Sequence, residues 1–216
     1  MSRADSALPD PPGDLASFPG IRIDTATPLY RAVAAPHPDP VGAWWFSSNG
    51  GRFDLPSPNG TCYMATTLAA AIRERLGRVL RQSTLLPATL MDGMEVVTLH
   101  LMSSALLANT GHENAADWGA IRELATVTGD YSRTVRWAVA FKEADFDGIL
   151  YEPRFSSLAK ATAVGLFGPE KDKPWPEVHR LTGQEAFLET GLIQFVNAIP
   201  SSKSAKIVPP PPRNIR

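Results

Sequence analysis

Five side chains in the first half of the sequence have types and settings suited to a flat, anionic ligand. Arg31 shares one face of a short predicted strand, residues 28–33, with Leu29 and Val33. A guanidinium there is either an edge arginine reaching solvent past its apolar stem or a clamp on phosphate oxygens. The clamp uses two parallel hydrogen bonds, which a lysine cannot supply. Arg52 follows Gly50-Gly51, where the backbone can bring it close to a ligand, although an ordinary loop arginine would fit equally well. Tyr30 and Tyr63 fall on short predicted strands. Each is either a core residue with its hydroxyl at the rim or a ring that stacks on a heteroaromatic group.

Glu74 lies nearly opposite the apolar stripe of its predicted helix, which carries Leu68, Ile72, Leu76, Val79 and Leu80. One reading is a solvated glutamate paired with Arg78 one turn on, worth roughly 0.2–0.5 kcal/mol. The other is a carboxylate facing a ligand, in space left by the small residues Ala70 and Ala71. Ser156 and Ser157 follow Arg154-Phe155 in a loop, where serines ordinarily form turns. The four histidines, His37, His100, His112 and His179, lack metal-ligand spacing, and no metal site is expected. No zinc-protease HExxH, Walker loop or GxSxG elbow is present.

The elements that must position these groups alternate irregularly. Strands are predicted over residues 28–33, 61–65, 95–102, 149–151 and 162–167, the last two as neighbours. A helix capped by Thr66 or Thr67 runs to about Gln82, and two more cover residues 118–128 and 131–143. Thr182-Gly183-Gln184-Glu185 is a capping box for a last short helix. The pattern predicts an α+β domain with a mixed sheet and surrounding helices.

The Pro- and Asp-rich residues 1–20 read as a flexible arm, residues 21–200 as the core, and residues 201–216, with four consecutive prolines, as a disordered tail. The 21 basic and 22 acidic residues leave a net charge of −1, which offers no bulk attraction to nucleic acid. Cys62 is the single cysteine, so no internal disulfide forms, in keeping with a reducing compartment. No segment supplies the ~20 apolar residues of a membrane helix, and the N-terminus lacks a signal-peptide core, so a cytoplasmic protein is expected.

Taken in order, Leu29-Tyr30-Arg31-Ala32, Gly50-Gly51-Arg52-Phe53, Tyr63-Met64-Ala65-Thr66, Ala70 to Glu74, Asp147 to Tyr151 and Gly165-Leu166-Phe167 resemble the RES domain family. That resemblance implies a fold like that of ADP-ribosyltransferases and an enzyme that consumes NAD as substrate. The reaction would be phosphorolysis, with inorganic phosphate as co-substrate, or hydrolysis. It also implies the toxin half of a toxin–antitoxin pair, with a helix-turn-helix antitoxin as partner and a possible oligomer with it. By the same resemblance Tyr30, Arg31, Arg52 and Tyr63 line the NAD pocket, and Arg31 and Glu74 act in catalysis. Where the family often has Tyr-x-Ser-Arg, this chain has Tyr151-Glu152-Pro153-Arg154, and Ser156 or Ser157 is expected to replace the missing hydroxyl. The alternatives are a protein ADP-ribosyltransferase and a catalytically inactive RES-fold binding module.

Overall fold

The computed structural model describes residues 8–35, 42–48, 50–80, 85–120, 123–126, 129–156, 162–191 and 194–196. In chain order the strands are β1 (Gly20–Ile23), β2 (Leu29–Ala34), β3 (Asn59–Ala65), β4 (Leu85–Pro87), β5 (Met94–Leu99), β6 (Ala105–Asn109), β7 (Gly148–Tyr151), β8 (Ala163–Pro169), β9 (His179–Thr182) and β10 (Gln194–Val196). The α-helices are α1 (Leu68–Leu80), α2 (Ala88–Asp92), α3 (Glu123–Thr126), α4 (Ser132–Glu143) and α5 (Gly183–Thr190). Eight strands form one sheet in the order β1-β6-β7-β8-β3-β2-β5-β9, and β4 pairs with β10 apart from it. Only β6 and β7 run parallel within the large sheet, so the α+β class with a mixed sheet is borne out.

Pairing along the sheet is uneven. β3 lies opposite β8 from Asn59–Pro169 through Ala65–Ala163, and β2 opposite β5 from Leu29–Leu99 through Ala34–Met94. Between β2 and β3 the register holds at a single position, Tyr30 opposite Ala65. The sheet is thus two well-zipped halves joined at a seam. Cross-strand partners share a face, so Tyr30, Ala32, Tyr63 and Ala65 point to one side, and Arg31, Cys62 and Met64 to the other.

Helices cover the first side. There Trp137, Ala138 and Phe141 of α4 pack with Ile149, Tyr151, Ala163 and Phe167. Ala70, Ile72 and Leu76 of α1 and Phe187 of α5 pack with Ala65 and Val96 in a separate cluster. Residues outside regular elements cover the second side. Trp44, Phe46 and Trp175 close over Leu29, Cys62, Val97 and Leu166, with Trp175 edge-on to Trp44 at 5.1 Å and to Phe46 at 5.8 Å.

The caps agree with the sequence. Thr67 Oγ1 accepts from Ala70 N at 3.2 Å, and Thr182 with Glu185 forms the full capping box of α5. Two expectations are corrected. The helix foreseen over residues 118–128 is a 3₁₀ turn, Glu113–Trp118, followed by α3. Gly119 between them has φ +82, a left-handed conformation that ends a helix. The flexible arm foreseen over residues 1–20 is, from Leu8 onward, part of the core. Leu8, Leu15 and Phe18 are buried, Trp137 Nε1 donates to Pro9 O at 2.9 Å, and Arg136 pairs with Asp10 at 2.5 Å. Its prolines suppress regular structure without preventing burial of the apolar residues between them. Residues 1–7 and the expected Pro-rich tail lie outside the described residues.

Phe18 is 4% exposed and meets the rings of Trp118, Phe141 and Phe146. Phe18→Ala is expected to cost about 3–5 kcal/mol in denaturant unfolding. A change under about 0.5 kcal/mol, typical of a surface residue, would show that the segment is not part of the core.

Candidate functional site

A cavity of about 340 Å³ opens where the two helix-side clusters fail to meet, directly over the seam. Its lining comes from segments far apart in sequence: Tyr30, Arg31 and Ala32 of β2, the Gly50–Arg52 turn, Tyr63 to Ala65 of β3, and Ala71, Glu74 and Arg75 of α1. Tyr131, just before α4, Tyr151 and Ala163 complete it. All five residues that stood out in the first half of the sequence therefore line one space. Arg31, Arg52 and Arg75 against Glu74 give it a cationic excess, which favours an anionic ligand.

Arg31 lines the cavity at the seam, although its side chain belongs to the opposite face of the sheet. Its Nη1 donates to Ala43 O at 2.5 Å, Trp45 O at 2.9 Å and Cys62 Sγ at 2.8 Å. The guanidinium thus also tethers the segment that closes the second side. Burial pushes the Cys62 thiol up from its ordinary value, against the pull of the Arg31 charge, and keeps it protonated.

Asp54, 2% exposed, organises the turn that carries Arg52. Its carboxylate accepts from Ser47 Oγ at 2.9 Å, Gly51 N at 2.8 Å and the Tyr63 hydroxyl at 2.8 Å. A Cβ on Gly51 would stand 2.2 Å from Asp54 Oδ1, so glycine is required there. The Tyr63 hydroxyl also accepts from Phe53 N at 2.9 Å. Burial, then the Asp54 charge, holds Tyr63 well above the usual phenol value. Its hydroxyl is committed to the scaffold, so Tyr63 offers a ligand chiefly its ring. Thr134 of α4 donates to Arg52 O at 2.5 Å and fixes the turn from the other side.

Glu74 is half-buried, and its Oε1 accepts from Phe155 N at 2.7 Å. The ring of Phe155 rests on α1 at Gly77, where a Cβ would come within 2.2 Å of it. The loop after β7 is thereby latched to the helix turn that carries Glu74. The alternative partner, the Arg78 side chain, lies outside the described residues. Ala71 lines the cavity as the small-residue argument expects, whereas Ala70 is fully buried in the core.

The serines fall elsewhere. Ser156 lines a different cavity together with Pro153, and Ser157 lies outside the described residues. Among the described residues that line the seam cavity none is a serine. Sequence reasoning missed Asp54, Arg75, Tyr131 and Tyr151 as site residues. Asp54 three residues after Gly51 is a turn-forming signal, and Arg75 adjoins Glu74. Tyr151 is buried, and burial raises it above the ordinary phenol value despite the opposing Arg52 charge, with Glu74 adding to the rise. Among the described residues no cluster of His, Cys, Asp or Glu could hold a metal ion, and no helix is long and apolar enough to cross a membrane.

A family model described as RES domain matches residues 28–180, and the chain belongs to the RES domain family. No curated protein matches it significantly. Among solved structures, a chain in the crystal structure of the M. tuberculosis MbcT-MbcA toxin-antitoxin complex is similar, with a TM-score of 0.55 at 13% identity. The match covers 79% of this chain and 91% of that one. At that identity the likeness concerns the fold.

Arg31→Lys removes the Nη1 that donates to both Ala43 O and Trp45 O. Hydrogen bonds to charged groups contribute about 1.5–3 kcal/mol, and each kcal/mol is worth roughly 2–4 °C in a chain of this size. Melting is expected to fall by several degrees. An unchanged melting temperature would show that the tether contributes nothing.

Proposed function

We propose that this protein consumes NAD, cleaving the nicotinamide–ribose bond by phosphorolysis or hydrolysis, and that it is the toxin half of a bacterial toxin–antitoxin pair. One observation carries the reading: Tyr30, Arg31, Arg52, Tyr63 and Glu74, from separate elements, converge on one cationic cavity. Its volume is within the range of ordinary small-molecule sites, roughly 300–1,000 Å³. Membership in the RES family and the fold shared with a chain of a toxin–antitoxin complex support the pairing with an antitoxin, expected to be of helix-turn-helix type.

Arg31, Arg52 and Arg75 hold the pyrophosphate, and the rings of Tyr30 and Tyr63 flank the nicotinamide. As the glycosidic bond breaks, its electron pair moves to the pyridinium nitrogen and nicotinamide leaves neutral. Positive charge grows on the sugar, and the Glu74 carboxylate stabilises it. The Phe155 amide fixes that carboxylate, so little reorganisation is needed when the charge appears. An oxygen of phosphate or water then bonds to the anomeric carbon, and in the water reaction the attacking oxygen gives up a proton to solvent. Pro153 in place of the family serine, with no serine among the described residues lining the cavity, favours the second reading: an inactive binding module.

Incubating the protein with NAD, with and without phosphate, separates the readings. Nicotinamide release that rises with phosphate indicates phosphorolysis, and release independent of it indicates hydrolysis. Release coupled to labelling of an added protein indicates ADP-ribosylation, and no release leaves the binding module. Glu74→Gln is expected to keep the fold and lower cleavage about 100- to 1,000-fold. Wild-type turnover by the folded variant would remove Glu74 from the mechanism.

A further inference from the structure

The second cavity, about 420 Å³, lies beyond the carboxyl ends of β6 and β7. Thr110 and His112 follow β6, and Pro153, Arg154 and Ser156 follow β7. These two strands run parallel, so the segments leaving them start side by side. Nε and Nη1 of Arg154 and Oγ of Ser156 are buried without hydrogen-bond partners. Buried polar atoms are almost always paired, and three unpaired ones on two residues that line one cavity call for a missing partner.

The chemistry of the three atoms names that partner. Both guanidinium nitrogens donate only, and the hydroxyl is free to donate, so the complement is an acceptor with several oxygens. The guanidinium is held in place by the Phe155 ring, 4.7 Å away. His112 Nδ1 accepts from Asn114 N at 3.2 Å, which puts the ring proton on Nε2 and makes it a further donor. Glu152 is the one carboxylate among the described lining residues, and it is exposed, where water and salt screen its charge.

We propose that this crevice binds a phosphate-type oxyanion, with Arg154 and Ser156 as its donors. The site is separate from the cavity at the seam, yet adjoins it through the amide of Phe155, the residue between the two donors, which holds Glu74.

The test is binding calorimetry on the full chain at constant ionic strength, with inorganic phosphate in one arm and adenosine monophosphate in the other. Arg154→Lys keeps the charge and loses the fork, and is expected to weaken binding roughly 10- to 100-fold. Ser156→Ala is expected to weaken it roughly 2- to 10-fold and stands as the probe if Arg154→Lys does not fold. Arg52→Lys, in the other cavity, is expected to leave the Arg154-dependent component of phosphate binding in place. If both ligands respond to Arg154, the site takes free phosphate. If the nucleotide alone responds, the oxyanion is a nucleotide's, and the assignment of the donors stands. Absence of binding in both arms, or binding that ignores Arg154 and Ser156 but falls with Arg52→Lys, overturns the proposal. The readout is binding, so it is independent of whether the protein cleaves NAD.

Discussion

Hydrogen bonding between β2 and β3 holds one paired position, Tyr30 with Ala65, and then stops. Most of what is functionally interesting follows from that interruption. Had the two strands zipped along their length, Arg31 would be sealed on one face and Tyr63 on the other. Where they part, residues that belong to both faces line one space. The helix-side core divides at the same line, with α4 belonging to one cluster and α1 to the other. Neither helix can cover the seam without leaving its own half, and the cavity is the volume that remains.

An opening of this kind in a sheet is unstable unless its rim is held, and the rim here is held by polar bonds. Asp54 gathers Ser47, Gly51 and Tyr63, while Arg31 gathers Ala43, Trp45 and Cys62. Buried polar groups with all partners in place define one geometry more sharply than apolar contacts do. The division of labour is clear at Tyr63, whose hydroxyl is spent on the scaffold while its ring faces the cavity.

Much of this was legible in the sequence where local chemistry decides. Strands β2, β3, β5, β7 and β8 are rich in alternating or β-branched residues, and α1 and α5 announce their caps with Thr67 and with Thr182–Glu185. Two strands toward the ends of the sheet were not legible. β9, His-Arg-Leu-Thr, has no buried face to impose a pattern, and β6, Ala-Leu-Leu-Ala-Asn, has the composition of a helix. The docking of Leu8, Leu15 and Phe18 depends on α4, more than a hundred residues away, so nothing local signals it. Arg31, Arg52 and Glu74 were visible as candidates, but Asp54 was not. Its value lies in three donors that converge only after folding, and the isolated residue resembles any loop aspartate.

The anchoring of the N-terminal segment also has a consequence in time. Leu8 O receives its bond from Arg133, 125 residues later, and Pro9 O from Trp137, 128 residues later. Ribosomes add roughly 5–20 residues per second, so about 6 to 25 s pass between the emergence of this segment and that of its partner helix. Throughout that interval Leu8, Leu15 and Phe18 are apolar residues on a growing chain with nowhere to go. Non-local closure of this sort is also slow once the chain is released. The newborn protein therefore passes through a stage in which this segment is open to chaperones, proteases or any early-binding partner. That stage ends only when α4 has been made and the strap closes over it.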